Sequence, residues 1–413
     1  MVDQRWWRAL LASAVTGGAA PRGGAGGVAL YASVGERLDR YEVDVAGARL
    51  TRRESVTLPA LVQYGWPSPD RRFFYVTSSD RGPGTGSASD KHHLSAFRVD
   101  PASGALTPHG PAVRLPARPI HHTLDIPGKH VLVAYNNPSG VNVYRINGDG
   151  TLGDEVRQPG PLDGGIYAHQ VRVAPSNRMV ILVTRGNDAA GDKPEDPGAL
   201  KVFGYDNGVL TDRASVAPGT GLGFGPRHLD FHPTRPWVFV SIERQNQLYV
   251  YEMAGDTLKP DALYVKENPI DPGNIRRRQH VGTVHVHPNG RFVYVPNRNG
   301  ATEEVNGQQV WAGGENNMAV YRLDLSTGEP EPIQHIETQG ITPRTFHIDP
   351  SGRLLVVCNQ TELPVREAGG LRTVPASLVT YRIGDDGRLT FVEKLDLETG
   401  GKQAFWMGMV PLP

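Results

Sequence analysis

The 413-residue sequence holds one cysteine, Cys358, so no disulfide can form within the chain. Its setting, LLVVCNQ, reads as a buried strand and makes the thiol a core group. Excess charge is also missing: 43 Lys and Arg balance 43 Asp and Glu. A chain so balanced lacks the basic field that tracks phosphates, and nucleic acid is not an expected partner. No apolar run approaches the ~18 residues needed to span a bilayer, so a membrane protein is excluded. The nucleophile elbow GxSxG, the P-loop and the CxxC pair are absent. At the N-terminus, RWWRALLASAVTGGAA imitates a secretory signal poorly. We read residues 1–27 as an extension and the cytoplasm as the location, with the periplasm as the alternative if that segment is a signal.

What is present is a repeat. A proline, a turn and a β-branched or aromatic run recur as PDRRFFYV, PGKHVLVA, PSNRMVILV, PTRPWVFV, PNGRFVYV and PSGRLLVV, beginning at Pro69, Pro127, Pro175, Pro233, Pro288 and Pro350. The spacing averages about 56 residues, longer than common propeller repeats of about 40–50, and the surplus belongs in loops. A second strand ending in an aromatic follows seven times, at Tyr41, Phe97, Tyr144, Phe203, Tyr251, Tyr321 and Tyr381. The 49 glycines and 34 prolines serve as punctuation between these runs. Four short strands per unit define a blade. The first unit lacks a proline hairpin, and the chain ends on the apolar run QAFWMGMV. That tail is expected to complete the first blade and close the ring, leaving no open sheet edge. The expected fold is all-β, a seven-bladed propeller over residues 28–413. Polar inserts at 80–92, 186–198, 299–316 and 361–376 fall at corresponding points and are expected on one face, where function tends to sit.

In such a ring a residue repeated in every blade serves packing, and a position that varies is free to serve a ligand. Six residues before each proline stand Gln63, His121, His169, Arg227, Gly282 and Arg344; ten after stand Ser79, Asn137, Arg185, Glu243, Arg298 and Gln360. The first strand runs toward the hairpin and the second runs back, so both sets are expected at one mouth of the channel. Several arginines together suit a carboxylate or phosphate, because each guanidinium can form two parallel hydrogen bonds. A small anionic substrate is the expected partner, and no metal or other cofactor is expected. Glu243 and His169 supply a base and an acid. Arg227 and Glu243 flank one hairpin, so a direct contact is expected, with His169 as proton carrier titrating near its ordinary value of about 6.5. His285 and His287 alternate on a strand but repeat the placing of Asp230 and His232, which points to blade packing; His92 and His93 read as solvated surface. The triplet Arg276, Arg277 and Arg278 reads as a basic loop.

The strings GPRHLDFHPTRPWVFVSIE, HPNGRFVYVPNR and TPRTFHIDPSGRLLVVCNQ resemble the seven-bladed lactonase family, which includes cofactor-free bacterial 6-phosphogluconolactonase and fungal carboxy-cis,cis-muconate cyclase. The likeness covers roughly residues 28–411. It implies active-site roles for His169 in YAHQV, Arg227 in GPRH, Glu243 in SIE and Arg298 in PNR, with Arg344 in TPR as a further basic position. Arg344, Arg185, His121, Gln63, Asn137 and Gln360 are the expected substrate-binding residues. TRGND with its long insert and GATEEVNGQQVWAGGENN depart from the family pattern. Lactone hydrolysis is the expected chemistry. A lactonising cycloisomerase of the muconate type and a non-catalytic ligand- or protein-binding propeller are the alternatives, and a secreted quinoprotein-like or metal-dependent lactonase is a weaker one.

Overall fold

The computed structural model describes residues 27–80 and 91–412. The signal-like segment and most of the 80–92 insert lie outside them. Strands pair antiparallel into seven four-stranded blades, the second and sixth each carrying one additional short strand. Blade 5 shows the plan, with Pro226–Phe231 innermost, then Trp237–Ile242, Gln247–Glu252 and Tyr264–Glu267. Each hairpin proline sits between first and second strands, and each of the seven aromatics sits buried on a third strand.

The ring closes as the tail predicts. Met407–Pro411 pairs antiparallel with Val28–Val34 and forms the innermost strand of blade 1. Seven apolar clusters fill the interfaces between successive blades; the one between blades 7 and 1 unites Leu354, Val356 and Cys358 with Leu30, Tyr41 and Met407. Cys358 is fully buried there, as its setting indicates. Each blade thus completes its core only against its neighbours, which is why a lengthening chain can keep adding core.

Blade-to-blade hydrogen bonds set the angle between units. His232 Nε2 donates to Gly290 O, and His287 Nε2 donates to Gly352 O, each at 2.8 Å. The accepting glycines have φ of +70° and +72°, and a Cβ on either would collide with the imidazole, so glycine is required. His287 therefore packs blades, as expected. His92 does not behave as predicted. It is buried, with Nδ1 2.9 Å from Ser79 Oγ, because the strand His92–Val99 begins earlier than the polar insert suggests.

The insert after the second strand of blade 6 folds as the hairpin Thr302–Val305 and Gln308–Trp311, and that of blade 7 as Leu363–Glu367 and Gly370–Val374. They join through Trp311, Val365 and Val374 and through Arg366 to Glu303 at 2.7 Å. Among the described residues no helix is long and apolar enough to cross a membrane.

Candidate active site

The insert-bearing mouth of the channel is shaped by a repeated irregularity. Between first and second strands the register slips at Val62/Tyr64, Ala168/Gln170, Pro226/His228 and Pro343/Thr345. The extra residue in each bulge is Gln63, His169, Arg227 or Arg344. A bulge re-aims a side chain without ending the strand, and here it does so at one level in five blades, with Ile120 the extra residue in blade 3.

Around Glu243 three guanidiniums converge. Its Oε1 accepts from Arg185 Nε at 2.8 Å, and its Oε2 accepts from Arg298 Nη2 at 2.7 Å. Arg227 Nε stands 2.9 Å from Oε2, an ion pair in which the N–H is not aimed at the oxygen. Arg227 is 1% exposed and Glu243 7%. Burial alone would raise the Glu243 pKa; Arg298, Arg185 and Arg227 outweigh it and hold the carboxyl well below its usual range. The predicted Arg227–Glu243 contact is therefore present. Burial, followed by the Arg298 charge, pushes the Arg227 pKa downward, which marks it as a cation incompletely compensated.

Burial, followed by the charges of Arg227 and Arg298, depresses the Arg344 pKa and places this residue in the same electrostatic field. Its Nε donates to Phe405 O at 3.1 Å, and its guanidinium stacks 3.8 Å from the centre of the Phe405 ring. No carboxylate pairs with it among the described residues. His169 is 7% exposed and its Nδ1 is buried without a hydrogen-bond partner. Burial and then the Arg227 charge hold His169 well below the ordinary histidine range, so the value near 6.5 expected from sequence is corrected downward. The imidazole is neutral at pH 7.

The remaining sequence-derived positions divide. Gln63 Oε1 accepts from Arg118 Nε at 3.0 Å, and Gln360 Nε2 donates to Gln403 Oε1 at 2.8 Å. His121 and Asn137 are misplaced by one residue. The loop between Asp125 and His130 has the same length as that between His232 and Trp237, but Pro127 is its second residue whereas Pro233 is the first of the other. Counting from the proline therefore slips in blade 3, where the bulged residue is Ile120. His121 falls one layer deeper, with its ring 5.7 Å from that of His228. Asn137 is an exposed turn residue, and buried Asn136 takes the place equivalent to Glu243.

Sequence reasoning missed four neighbours. His228 follows Arg227 in the quoted GPRH string, outside the one position per strand that the repeat marks; its ring packs 5.2 Å from His169. His280 places Nδ1 3.3 Å from Glu243 O. Asp188, in the 186–198 insert, takes Arg185 Nη2 at 2.9 Å and Arg244 Nε at 2.7 Å, tying that insert to the pocket rim. Phe405 comes from the closing tail, where nothing local marks it. Among the described residues no group of three or more His, Cys, Asp or Glu is placed to hold a metal ion.

The seven-bladed ring is the architecture of a family of lactone-hydrolysing enzymes. Residues 27–366 match the family model "Lactonase, 7-bladed beta-propeller", and the chain belongs to that family. It is 26% identical over 368 residues to a 6-phosphogluconolactonase of Erwinia tasmaniensis, covering 87% of this chain and 96% of the relative. A Bacillus subtilis 6-phosphogluconolactonase is 26% identical over 311 residues, 72% of this chain and 76% of the relative. The solved periplasmic gluconolactonase of Pseudomonas aeruginosa shares the fold, with a TM-score of 0.70 at 20% identity, covering 94% of this chain and all of that one.

Proposed function

We propose that the chain hydrolyses a lactone carrying a carboxylate or phosphate at the insert-bearing mouth, with no cofactor. The observation that carries this reading is the imbalance of charge: Glu243, with Asp188 at the rim, faces Arg185, Arg227 and Arg298, and Arg344 stands beside them without an acid among the described residues. An anion relieves that repulsion. Arg344, on its Phe405 platform, anchors the charged group, and Arg227 and Arg298 face the lactone carbonyl, whose oxygen gains negative charge as water adds. Neutral His169 takes the proton from the attacking water and returns it to the alkoxide that leaves the ring carbon, so the base is regenerated. The substrate's own charge offsets Arg227 and raises the affinity of His169 for that proton. Glu243, too acidic to be a strong base, keeps the guanidiniums in register.

The test compares kcat/KM for 6-phosphogluconolactone, an unphosphorylated aldonolactone and a carboxymuconate. Two charge-assisted hydrogen bonds at about 1.5–3 kcal/mol each place the anionic lactone about 10²-fold or more ahead of the neutral one. Turnover of none of the three would end this reading, and turnover of the muconate alone would replace hydrolysis with cyclisation.

A further inference from the structure

The far mouth of the channel, on the side of the proline hairpins, holds a cavity of about 400 Å³ that none of the Glu243 cluster lines. A layer of imidazoles separates the two ends. His121 and His228 are at most 3% exposed, and Tyr64, a wall of the far cavity, packs its ring 3.9 Å from that of His121. The cavity thus has its own chemistry, independent of the proposed reaction.

Its polar groups are arranged in a particular sense. Arg172 donates to Asp230 Oδ1 at 3.0 Å, and Asp230 Oδ2 accepts from Val286 N at 3.0 Å, so both charges are internally neutralised. His347 Nδ1 lies 3.0 Å from the carbonyl of Ile348, which requires the proton on Nδ1 and leaves Nε2 as a lone-pair acceptor. Burial, followed by the His285 charge, lowers the His347 pKa to about 4, which keeps the ring neutral. His285 places Nδ1 3.6 Å from Asp230 Oδ2, and its ring centre lies 5.5 Å from that of His347. Thr345 Oγ1 is buried against the cavity with no partner. The opposite wall is aromatic, built from Tyr64, Trp66 and Trp406.

We infer that this far mouth binds a neutral polyhydroxylated ring, the chemical class of a free hexopyranose. The His347 acceptor and the Thr345 hydroxyl ask for O–H partners. An anion, which only accepts, meets the His347 lone pair and an Arg172 already paired with Asp230, and an ammonium finds that carboxylate taken. A purely apolar ligand would leave Thr345 and His347 Nε2 unpaired at about 1–3 kcal/mol each. A pyranose presents hydroxyls at its edge and C–H groups on its face to the aromatic wall, and a cavity of this size suits one such ring.

Saturation-transfer NMR and tryptophan fluorescence on the full chain would be read with glucose, gluconate, glucosamine and indole. Glucose is expected to bind saturably with Kd near ~1–10 mM, and the other three at least tenfold more weakly. His347→Ala and Trp66→Ala should each weaken glucose tenfold or more, and Thr345→Val serves as an independent variant if either fails to fold. Arg298→Ala, at the other mouth, should leave glucose affinity within twofold. No saturable glucose binding, preference for gluconate, glucosamine or indole, or loss of glucose binding in Arg298→Ala would overturn the inference.

Discussion

Arg227 Nε and Glu243 Oε2 form an ion pair at 2.9 Å in blade 5, Glu243 standing one residue past the strand that pairs with that of Arg227, and the oxygen accepts a hydrogen bond from Arg298. Removing one partner of a buried ion pair leaves the other charge uncompensated, at a cost of about 3–5 kcal/mol. Glu243→Gln should therefore lower stability in urea by that order and cut kcat by about 10²-fold or more, while a competitive anion binds at least as tightly. Unchanged turnover in a folded Glu243→Gln enzyme would show that Glu243 does not hold the arginines for catalysis.

The proton carrier is tested by pH. A base works when neutral, and burial with Arg227 depresses the His169 pKa. The acidic limb of kcat/KM should then lie below pH ~6.5, the ordinary histidine value, with activity lost as pH falls through the depressed pKa. His169→Asn should remove that limb and reduce turnover by ~10²-fold, the usual worth of one acid/base group. A variant with the wild-type profile would transfer the role to Glu243.

Arg344 separates binding from chemistry. Its stacking on Phe405 fixes the guanidinium plane without neutralising it. Arg344→Met should raise KM by roughly 10–10²-fold with a smaller change in kcat, the mark of lost uniform binding. Arg344→Lys should recover only part, because a point charge cannot reproduce a planar fork. Equal losses in kcat and kcat/KM would instead place Arg344 at the reacting carbonyl.

Acid stability reports the buried imidazoles. Burial lowers the pKa of His122 to about 3 and that of His347 to about 4, and His121, His169 and His228 move the same way. A histidine depressed in the folded state binds its proton earlier in the unfolded chain, so stability is full above the unfolded pKa of about 6.5 and declines as pH falls below it. At pH ~5 the loss is about 2 kcal/mol each for His122 and His347. Tm should fall steeply between about pH 6.5 and 4, and a flat profile would contradict their burial as neutral rings.

The architecture was legible because it is written locally and repeatedly. A proline turn, alternating apolar residues and an aromatic on the third strand recur in each unit, and QAFWMGMV is an apolar strand with no partner nearby in sequence. Seven blades and a ring closed by the last strand follow from that alone. The GPRH, SIE and PNR strings placed Arg227, Glu243 and Arg298 at one level, and the short antiparallel hairpin made the Arg227–Glu243 contact nearly unavoidable. Tertiary structure decided what depends on distant neighbours. Strand register is set by hydrogen bonding between strands rather than by where a proline falls in a loop, which is why His121 and Asn137 slipped by one and Asn136 was overlooked. Phe405 reaches Arg344 only because the tail closes the ring. The lowered pKa of His169 likewise comes from its burial and from Arg227 in the adjacent blade, a sum over surroundings that no stretch of sequence contains.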